Sequence, residues 1–354
     1  GFLSIGVKTL LNACRHLHLG WFDRLMLSVM MVVLIILLIT GILSPPNIHD
    51  ILAYHLSRVM HWIQNRSLAF YPTSMTWQLW MPPFSEFIQL HWQILSGGDY
   101  LSSFHQWSSL LLTLAAVSLA AKRLGAARRG QWLAALFLLT LPIVVLQVTD
   151  GKNDVVLAFA FSALVFYVVE AYVSDTNWMD WGCAGLAVGI GVLTKGTFLF
   201  FALPLLLWLL VMMLTKAGWR KTLAFAGIGF AAVLVLNGGH WVRNWLGFGN
   251  PIYTGNEKFL INGYFGWDVT LSNLSRHAAV QMNGKYGLIN EAVQKVLARI
   301  HDWINLPLFD PQLTHGPAEF YYVPTREEVA GNPIHFALTG LMLILAPLGL
   351  IRKH

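Results

Sequence analysis

The chain has 354 residues, of which 56% are hydrophobic and only 11% are charged. A soluble domain carries about a quarter charged residues, so this composition excludes a cytosolic enzyme, a disordered chain and a disulfide scaffold. The formal net charge is +6, but the basic residues are spread over many short loops, which argues against a nucleic-acid partner. The composition predicts an all-α polytopic membrane protein.

A helix needs about 20 mostly apolar residues to cross a bilayer. Eight segments come close to this, in chain order Leu25–Leu43, Leu101–Ala121, Gln131–Val148, Val155–Val173, Trp178–Leu193, Thr197–Leu214, Thr222–Leu236 and Ile334–Leu350. Basic residues cluster at alternate ends of these segments, for example at Lys122 and Arg123 and again at Lys216 and Lys221. The positive-inside rule assigns those ends to the cytoplasm. We therefore expect a cytoplasmic N-terminus and a single transmembrane domain over residues 1–354.

Two long segments, at about residues 44–100 and 237–333, remain for the outer side. They hold three stretches with apolar residues at helical spacing. The first runs from Ile51 to Gln64, the second from about Phe84 to Leu95, and the third carries the stripe Val293, Val296, Leu297, Ile300 and Ile304. In the first stretch the expected apolar stripe is Leu52, Leu56, Val59, Met60 and Ile63. We expect three amphipathic helices on the membrane surface that roof a cavity at its boundary.

Asp50 lies at the start of the first of these helices. One interpretation is structural, with Asn47 as the N-cap residue and Asp50 as a carboxylate that favours the positive end of the helix dipole. The other is catalytic, with Asp50 as a general base at the membrane rim. Position alone does not separate the two.

Lys195 ends the segment Gly191–Gly196, between two apolar helices and without an acidic neighbour in sequence. An ionisable residue in such a place is a functional candidate, because it needs an anionic partner. The alternative is a lysine that extends its ammonium to the membrane interface.

Charged residues recur in two more places on the outer side. The turn from Thr149 to Asp154 contains Lys152 and two aspartates, and could be an ordinary solvated loop. Arg243 and Asn244 follow the seventh predicted span, where an arginine between tryptophans could simply anchor the helix at the interface. Lys195 and Arg243 together, with Lys152, would supply the cations that a lipid-linked phosphate needs.

The histidines of the first outer segment do not predict a metal site. They are His49, His55, His61 and His91. No two of them have the i, i+4 spacing with which a helix holds zinc. We therefore expect no cofactor, with a divalent metal as the less favoured alternative.

Several short motifs spread over nearly the whole chain carry a family resemblance. They are Asp50 followed by Tyr54-His55-Leu56-Ser57-Arg58-Val59 and His61-Trp62-Ile63-Gln64-Asn65, then Pro82-Pro83-Phe84-Ser85-Glu86, Ala121-Lys122-Arg123-Leu124-Gly125, Asn153-Asp154, Leu193-Thr194-Lys195-Gly196, and Arg243-Asn244-Trp245 with Gly249-Asn250-Pro251. In their order and topological placement they resemble bacterial glycosyltransferases of the GT-C superfamily. The chain is most similar to the group of the protein mannosyltransferases and the lipid A aminoarabinose transferase.

The resemblance implies an enzyme of the bacterial inner membrane that transfers a sugar from a polyprenyl-phosphate donor to an acceptor on the outer face, with inversion. Asp50 matches the catalytic aspartate of the family, and Lys195 and Arg243 match positions that hold the donor phosphate. Further residues expected to line the cavity are Tyr54, His55, Arg58, Glu86, Lys152, Asn153, Asp154 and Asn244. The expected partners are the lipid-linked donor, membrane lipids and other subunits of a membrane complex.

Family members usually have several more spans and often an outer C-terminal domain, so we expect this chain to be a fragment or a short relative. A short relative suggests a second function class, a non-catalytic lipid-binding or structural subunit of a larger complex. A transporter is a third class, but the pair of broken-helix repeats that many transporters use is not visible in the sequence.

Overall fold

The computed structural model of the chain describes residues 19–255, 263–285, 287–308, 310 and 330–351. Within these residues the fold is helical and contains no strand. The helices are α1 (Trp21–Leu43), α2 (Leu56–Asn65), α3 (Trp77–Trp80), α4 (Phe84–Ser96), α5 (Phe104–Arg123), α6 (Arg128–Leu139), α7 (Pro142–Val148), α8 (Asp154–Val173), α9 (Trp178–Thr194), α10 (Phe198–Phe248), α11 (Trp267–Met282), α12 (Gly287–Trp303) and α13 (Pro333–Ile351). A π-helical turn, Ile51–His55, leads directly into α2.

All eight predicted spans coincide with apolar helices. By length and composition, α1, α5, α8 and α10 can each cross a membrane, and α6 with α7 forms a fifth candidate that is bent by 67°. The bend is at Leu141, because Pro142 begins the new helix and cannot donate a backbone hydrogen bond to the preceding turn. Helices α9 and α13 are apolar but shorter. The described residues therefore form a multi-pass membrane protein, as the composition predicted.

Helix α10 contains two of the predicted spans. Its two arms meet at Gly218, whose backbone angles (φ 77°, ψ 163°) are not helical. The side chain of Phe198, at the start of the first arm, lies against Gly191 near the end of α9. Phe225, early in the second arm, stacks on Trp181 near the start of α9, with 5.1 Å between ring centroids. The two arms therefore run in opposite directions along α9.

Two apolar cores hold the bundle together. One joins α1 and α5 to α6, α7 and α8 and is built on Leu34, Leu110 and Leu139. The other joins α8, α9 and the arms of α10 and is built on Leu164 and Phe198. Because α8 belongs to both, it connects the two halves of the bundle.

The first outer helix buries Leu56 and Val59 of its expected apolar stripe, together with polar side chains. Tyr54, His55 and Arg58 are buried, whereas Leu52 and Met60 of the expected apolar stripe are exposed. In a helix expected to rest on the membrane surface, exposed apolar side chains form the face that meets lipid, so the exposure of Leu52 and Met60 agrees with that expectation. A buried carboxylate on α4 gives the basic side chains a partner inside the protein, as described below.

The second predicted helix is confirmed as α4, which ends at Gly97 with φ 72°. The third is confirmed as α12, in which Val293 and Leu297 are buried but Val296 is exposed. Helix α11, which packs against α12, was not predicted. Helix α10 continues to Phe248, so Arg243 and Asn244 lie on its last turns rather than in a loop.

Candidate active site

The turn between α7 and α8 is buried, so it is not the solvated loop that its charges could suggest. Asp150, Lys152 and Asn153 are all less than a tenth exposed. Side chains from α4 and α5 bind its backbone: Gln89 Nε2 donates to the carbonyl of Gly151, and His105 Nε2 lies 2.7 Å from the carbonyl of Lys152. The position of this turn is therefore set by the surrounding helices.

Gln106 on α5 makes the most extensive contacts with this turn. Its Nε2 donates to the carbonyl of Gln147 at 3.2 Å and to Asp150 Oδ1 at 3.3 Å. Its Oε1 accepts from the backbone N–H groups of Val155 at 2.9 Å and Val156 at 3.3 Å. These N–H groups belong to the first turn of α8 and have no partner within the helix. Gln106 thus caps α8 from a neighbouring span.

Asp50 lies beside this turn. Its Oδ2 accepts a hydrogen bond from Tyr54 Oη at 3.3 Å and is 4.0 Å from Lys152 Nζ. Its side chain is 37% exposed, and it makes no capping hydrogen bond to the start of the π-helical turn. Asp50 therefore lies in the first helical turn, where the helix dipole favours a carboxylate, but it makes no capping hydrogen bond. Its carboxylate is held by two side chains and is still reachable from outside.

Tyr54 stays protonated in this environment. Burial raises the pKa of its phenol far above the usual range, and the negative charges of Asp50, Glu86 and Asp154 raise the pKa further. A protonated phenol donates its hydrogen to Asp50, so it orients the carboxylate rather than competing with it for protons.

Lys195 has an acidic partner that its sequence neighbourhood does not show. Its Nζ is 2.7 Å from Asp154 Oδ1, on the first turn of α8. Gln147 Nε2 donates to the other oxygen of that carboxylate at 3.3 Å, and Asn153 Nδ2 donates to the carbonyl of Thr194 at 3.0 Å. These contacts join the end of α9 to the buried turn and bring Lys195 into the same group as Asp50.

Glu86 lies at the centre of a second, buried group. Its Oε1 is 2.9 Å from His55 Nδ1 and 3.2 Å from Arg58 Nη1. Arg58 also donates to the carbonyls of Met81 at 3.1 Å and Trp77 at 2.7 Å. Burial raises the pKa of the Glu86 carboxyl, but the charges of Arg58 and His55 outweigh it and the net pKa is lowered. Glu86 is therefore a carboxylate that holds the outer helices together.

Arg243 belongs to the surroundings of this second group. Its guanidinium lies over the ring of Phe70, 4.4 Å from the centroid, and interacts electrostatically with Arg58 and Tyr71. The next residue, Asn244, is buried and donates to the carbonyl of Trp80 at 3.2 Å. Among the described contacts none joins Arg243 to Asp50 or Lys195. The structure thus assembles two neighbouring groups rather than one pocket.

Several residues that shape the site were not predicted from the sequence. Gln89, His105 and Gln106 position the buried turn, and Gln78 donates to the carbonyl of Ala53 at 2.7 Å. A signal was present, because a glutamine or histidine in an apolar helix must find a hydrogen-bond partner inside the protein. The partners themselves could not be read from the chain.

Two apolar cavities in the described helix bundle do not contain these residues. Their volumes are about 340 and 260 Å³, and their walls are formed by α5, α8, α9 and α10. Among the described residues, no group of three or more His, Cys, Asp or Glu side chains is arranged to hold a metal ion.

Residues 82–241 match the model of the dolichyl-phosphate-mannose-protein mannosyltransferase family. No curated protein and no solved structure matches the chain. The matched range includes the buried turn, Glu86 and Lys195, whereas Asp50 and Arg243 lie outside it. Over residues 82–241 the chain is therefore similar to a glycosyltransferase family of the GT-C type, and its apolar helices are those of a multi-pass membrane protein.

Proposed function

We propose that the chain transfers a sugar from a polyprenyl-phosphate donor to an acceptor at the outer face of the bacterial inner membrane. The N-terminus would lie in the cytoplasm. The observation that carries the proposal is the environment of Asp50, a partly exposed carboxylate that contacts Tyr54 and lies 4.0 Å from Lys152. Glycosyltransfer needs a carboxylate that is reachable by an acceptor hydroxyl and fixed in direction.

The proposed reaction is an inverting displacement at the anomeric carbon. Asp50 takes the proton of the acceptor hydroxyl while its oxygen attacks, and the bond to the donor phosphate breaks. The Tyr54 hydroxyl, which donates to Oδ2, keeps one carboxylate oxygen occupied and leaves Oδ1 for the acceptor. General-base catalysis of this kind contributes roughly 10²–10⁴-fold to a rate.

The leaving group is a lipid phosphate, on which negative charge grows as the bond breaks. Fixed cations near that charge stabilise the transition state. Lys152 and Lys195 both lie within the Asp50 group, and Arg243 lies in the neighbouring group around Arg58. We assign the phosphate to Lys195 and Arg243, with Lys152 aligning the base. Such a set of cations would stabilise the charge on the leaving phosphate without a metal ion.

The test is sugar transfer in membranes, with a radiolabelled polyprenyl-phosphate donor and wild-type protein compared with Asp50→Asn. Asparagine keeps the shape of the side chain and can accept from Tyr54, but it cannot take a proton. We expect donor binding to persist while transfer falls at least 100-fold. Asp99→Asn is the matched control, because Asp99 is also an outer aspartate but is exposed between α4 and α5. Equal transfer by Asp50→Asn and Asp99→Asn would overturn the assignment of the base.

A second function has one observation in its favour. Lys195 and Lys152 each lie beside a carboxylate, Asp154 and Asp50 respectively, so the group is close to electrically balanced without a phosphate. Such a balance suits a structural or lipid-binding subunit that performs no turnover. A wild-type chain that binds the donor but transfers no sugar, with or without Asp50, would favour this function.

A further inference from the structure

The turn between the two arms of α10 is strongly basic. The segment 215–222 contains Lys216, Arg220 and Lys221 and no acidic residue. Lys216 is occupied, because its Nζ donates to the carbonyl of Ala171 at 3.2 Å and so caps the end of α8. Arg220 and Lys221 are exposed. This turn lies on the side that the positive-inside rule assigns to the cytoplasm.

An apolar cleft begins beside this turn. Its volume is about 260 Å³, and it lies between α9 and the two arms of α10. Thr222, which directly follows Lys221, lines it, as does Met213 at the end of the first arm. The deeper walls are formed by Leu206, Leu209, Phe225, Ala226, Gly229 and Val233. The cleft therefore leads from the charged turn into the apolar part of the bundle.

Two further features mark the mouth of the cleft as a membrane–water boundary. Trp219 is exposed, and Arg220 lies over its ring at 5.3 Å from the centroid. Tryptophan with arginine is typical of the headgroup level of a bilayer. The start of α9 lies at the same end of the cleft, and there Asp180 caps the helix by accepting from the N–H of Asn177 at 2.9 Å.

We propose that this cleft is a binding site for an anionic phospholipid. One acyl chain lies in the cleft, and the phosphate of the headgroup binds Arg220 and Lys221 at the turn. Charge complementarity selects this occupant, because an apolar cleft alone would accept any acyl chain, whereas two exposed cations at its mouth favour a headgroup with net negative charge. The site is separate from Asp50 and does not depend on the proposed glycosyltransfer.

The lipid would also explain how this part of the fold is completed. The cleft separates two arms that diverge from a single glycine, and its lining residues include exposed apolar side chains such as Phe230 and Leu210. An acyl chain that fills the space gives these side chains contacts that neither arm supplies. We therefore expect the bound lipid to raise the thermal stability of the protein.

The experiment uses the full chain purified in detergent, with phosphatidylglycerol or phosphatidylcholine of identical acyl chains as probes. Lipid retention is measured by native mass spectrometry and thermal unfolding is measured in parallel. We expect wild type to retain phosphatidylglycerol preferentially and to unfold at a higher temperature with it. Removing both charges, in Arg220→Gln/Lys221→Gln, should weaken the binding of phosphatidylglycerol about 25-fold, at about fivefold per basic side chain, and leave the binding of phosphatidylcholine unchanged.

A matched pair of variants tests the cleft itself. Ala226→Phe fills it, whereas Ala115→Phe puts the same bulk on another exposed alanine, which lines the other apolar cavity. Ala226→Phe should lose the retained phosphatidylglycerol and Ala115→Phe should keep it. Wild type that shows no preference between the two lipids would overturn the proposal. An unchanged lipid preference in the Arg220→Gln/Lys221→Gln variant would also overturn it. A protein that copurifies with the chain and covers Ala226 in place of the lipid would do the same.

Discussion

Lys195 Nζ lies 2.7 Å from Asp154 Oδ1, and the pair joins the end of α9 to the start of α8. The two residues are 41 positions apart, so the partner of this lysine could not be seen in its own segment. The side chain of Lys195 is 40% exposed and that of Asp154 is 22% exposed, so the lysine can contact a phosphate in addition to Asp154.

The two roles of Lys195 can be separated by combining two substitutions. If Lys195 binds the donor phosphate, Lys195→Met should raise the KM for the donor at least tenfold, and adding Asp154→Asn should not restore it. If the lysine only neutralises Asp154, the double variant should recover the wild-type KM, because the unpaired carboxylate is gone. Steady-state transfer with varied donor concentration distinguishes the two.

Glu86 should be essential for stability rather than for the chemical step. Glu86→Gln removes the negative charge that Arg58 faces inside the protein, and an uncompensated buried charge costs about 3 kcal/mol or more. The fraction of folded protein in detergent on heating measures the loss. Arg128→Gln is the control, because Arg128 pairs with Asp23 but is 55% exposed, and such pairs contribute about 1 kcal/mol or less. Equal losses in the two variants would contradict the buried role.

The same carboxylate predicts a pH dependence. The pKa of Glu86 is lower in the folded protein than the ordinary value of 4.5. Its contribution is therefore fully present above pH 4.5 and disappears as the pH falls through the folded pKa. The difference in melting temperature between wild type and Glu86→Gln should be constant at neutral pH and shrink under acid conditions. A melting-temperature difference that widens as the pH falls would contradict a lowered pKa of Glu86 in the folded protein.

Any side chain at Gly218 should destabilise the protein. Its φ of 77° and ψ of 163° lie in a region that is essentially restricted to glycine, although a Cβ there would meet no atom within 4 Å. Gly218→Ala should therefore cost about 1–3 kcal/mol through the backbone alone. Gly227→Ala is the control, because Gly227 has the same open space inside the second arm, and alanine there should be neutral or slightly stabilising.

The contact between α9 and the second arm of α10 depends on another glycine. A Cβ on Gly185 would lie 2.5 Å from the Cα of Gly229, whereas a Cβ on Gly182 would lie 3.9 Å from the nearest atom, on Ile228. Gly185→Ala should push the two helices apart at a cost of about 1–3 kcal/mol. Gly182→Ala should leave the melting temperature nearly unchanged. A smaller loss in Gly185→Ala than in Gly182→Ala would contradict this packing.

The helices could be predicted from the sequence because their signals are local. Apolar runs gave the spans, Pro82–Pro83 and Gly97 gave the ends of α4, and basic clusters indicated the alternating ends. The burial of His55 and Arg58 shows the limit of this method. It depends on Glu86, more than 20 residues away in the chain, which pairs with both side chains inside the protein.

The residues of the candidate site could be named from the sequence, but their arrangement in space could not. Asp50, Lys152, Asp154 and Lys195 do lie together, whereas Arg243 contacts Phe70 instead. The turn 149–154 is buried because glutamines on other helices bind its backbone, and no local pattern encodes a partner on another helix. The assignment of Asp50 as the base and of Lys195 and Arg243 to the phosphate stays a prediction.

The cap that Gln106 places on α8 has a consequence for how the protein is made. Gln106 belongs to a helix that leaves the ribosome before the turn does, so its amide is already in the membrane when Val155 and Val156 arrive. The backbone polar groups of the turn then find hydrogen-bond partners as the turn is inserted, and they are not left unpaired in lipid. Translation order and hydrogen-bond satisfaction thus coincide, and a chain with α5 moved behind α8 would insert this turn before Gln106 could cap α8.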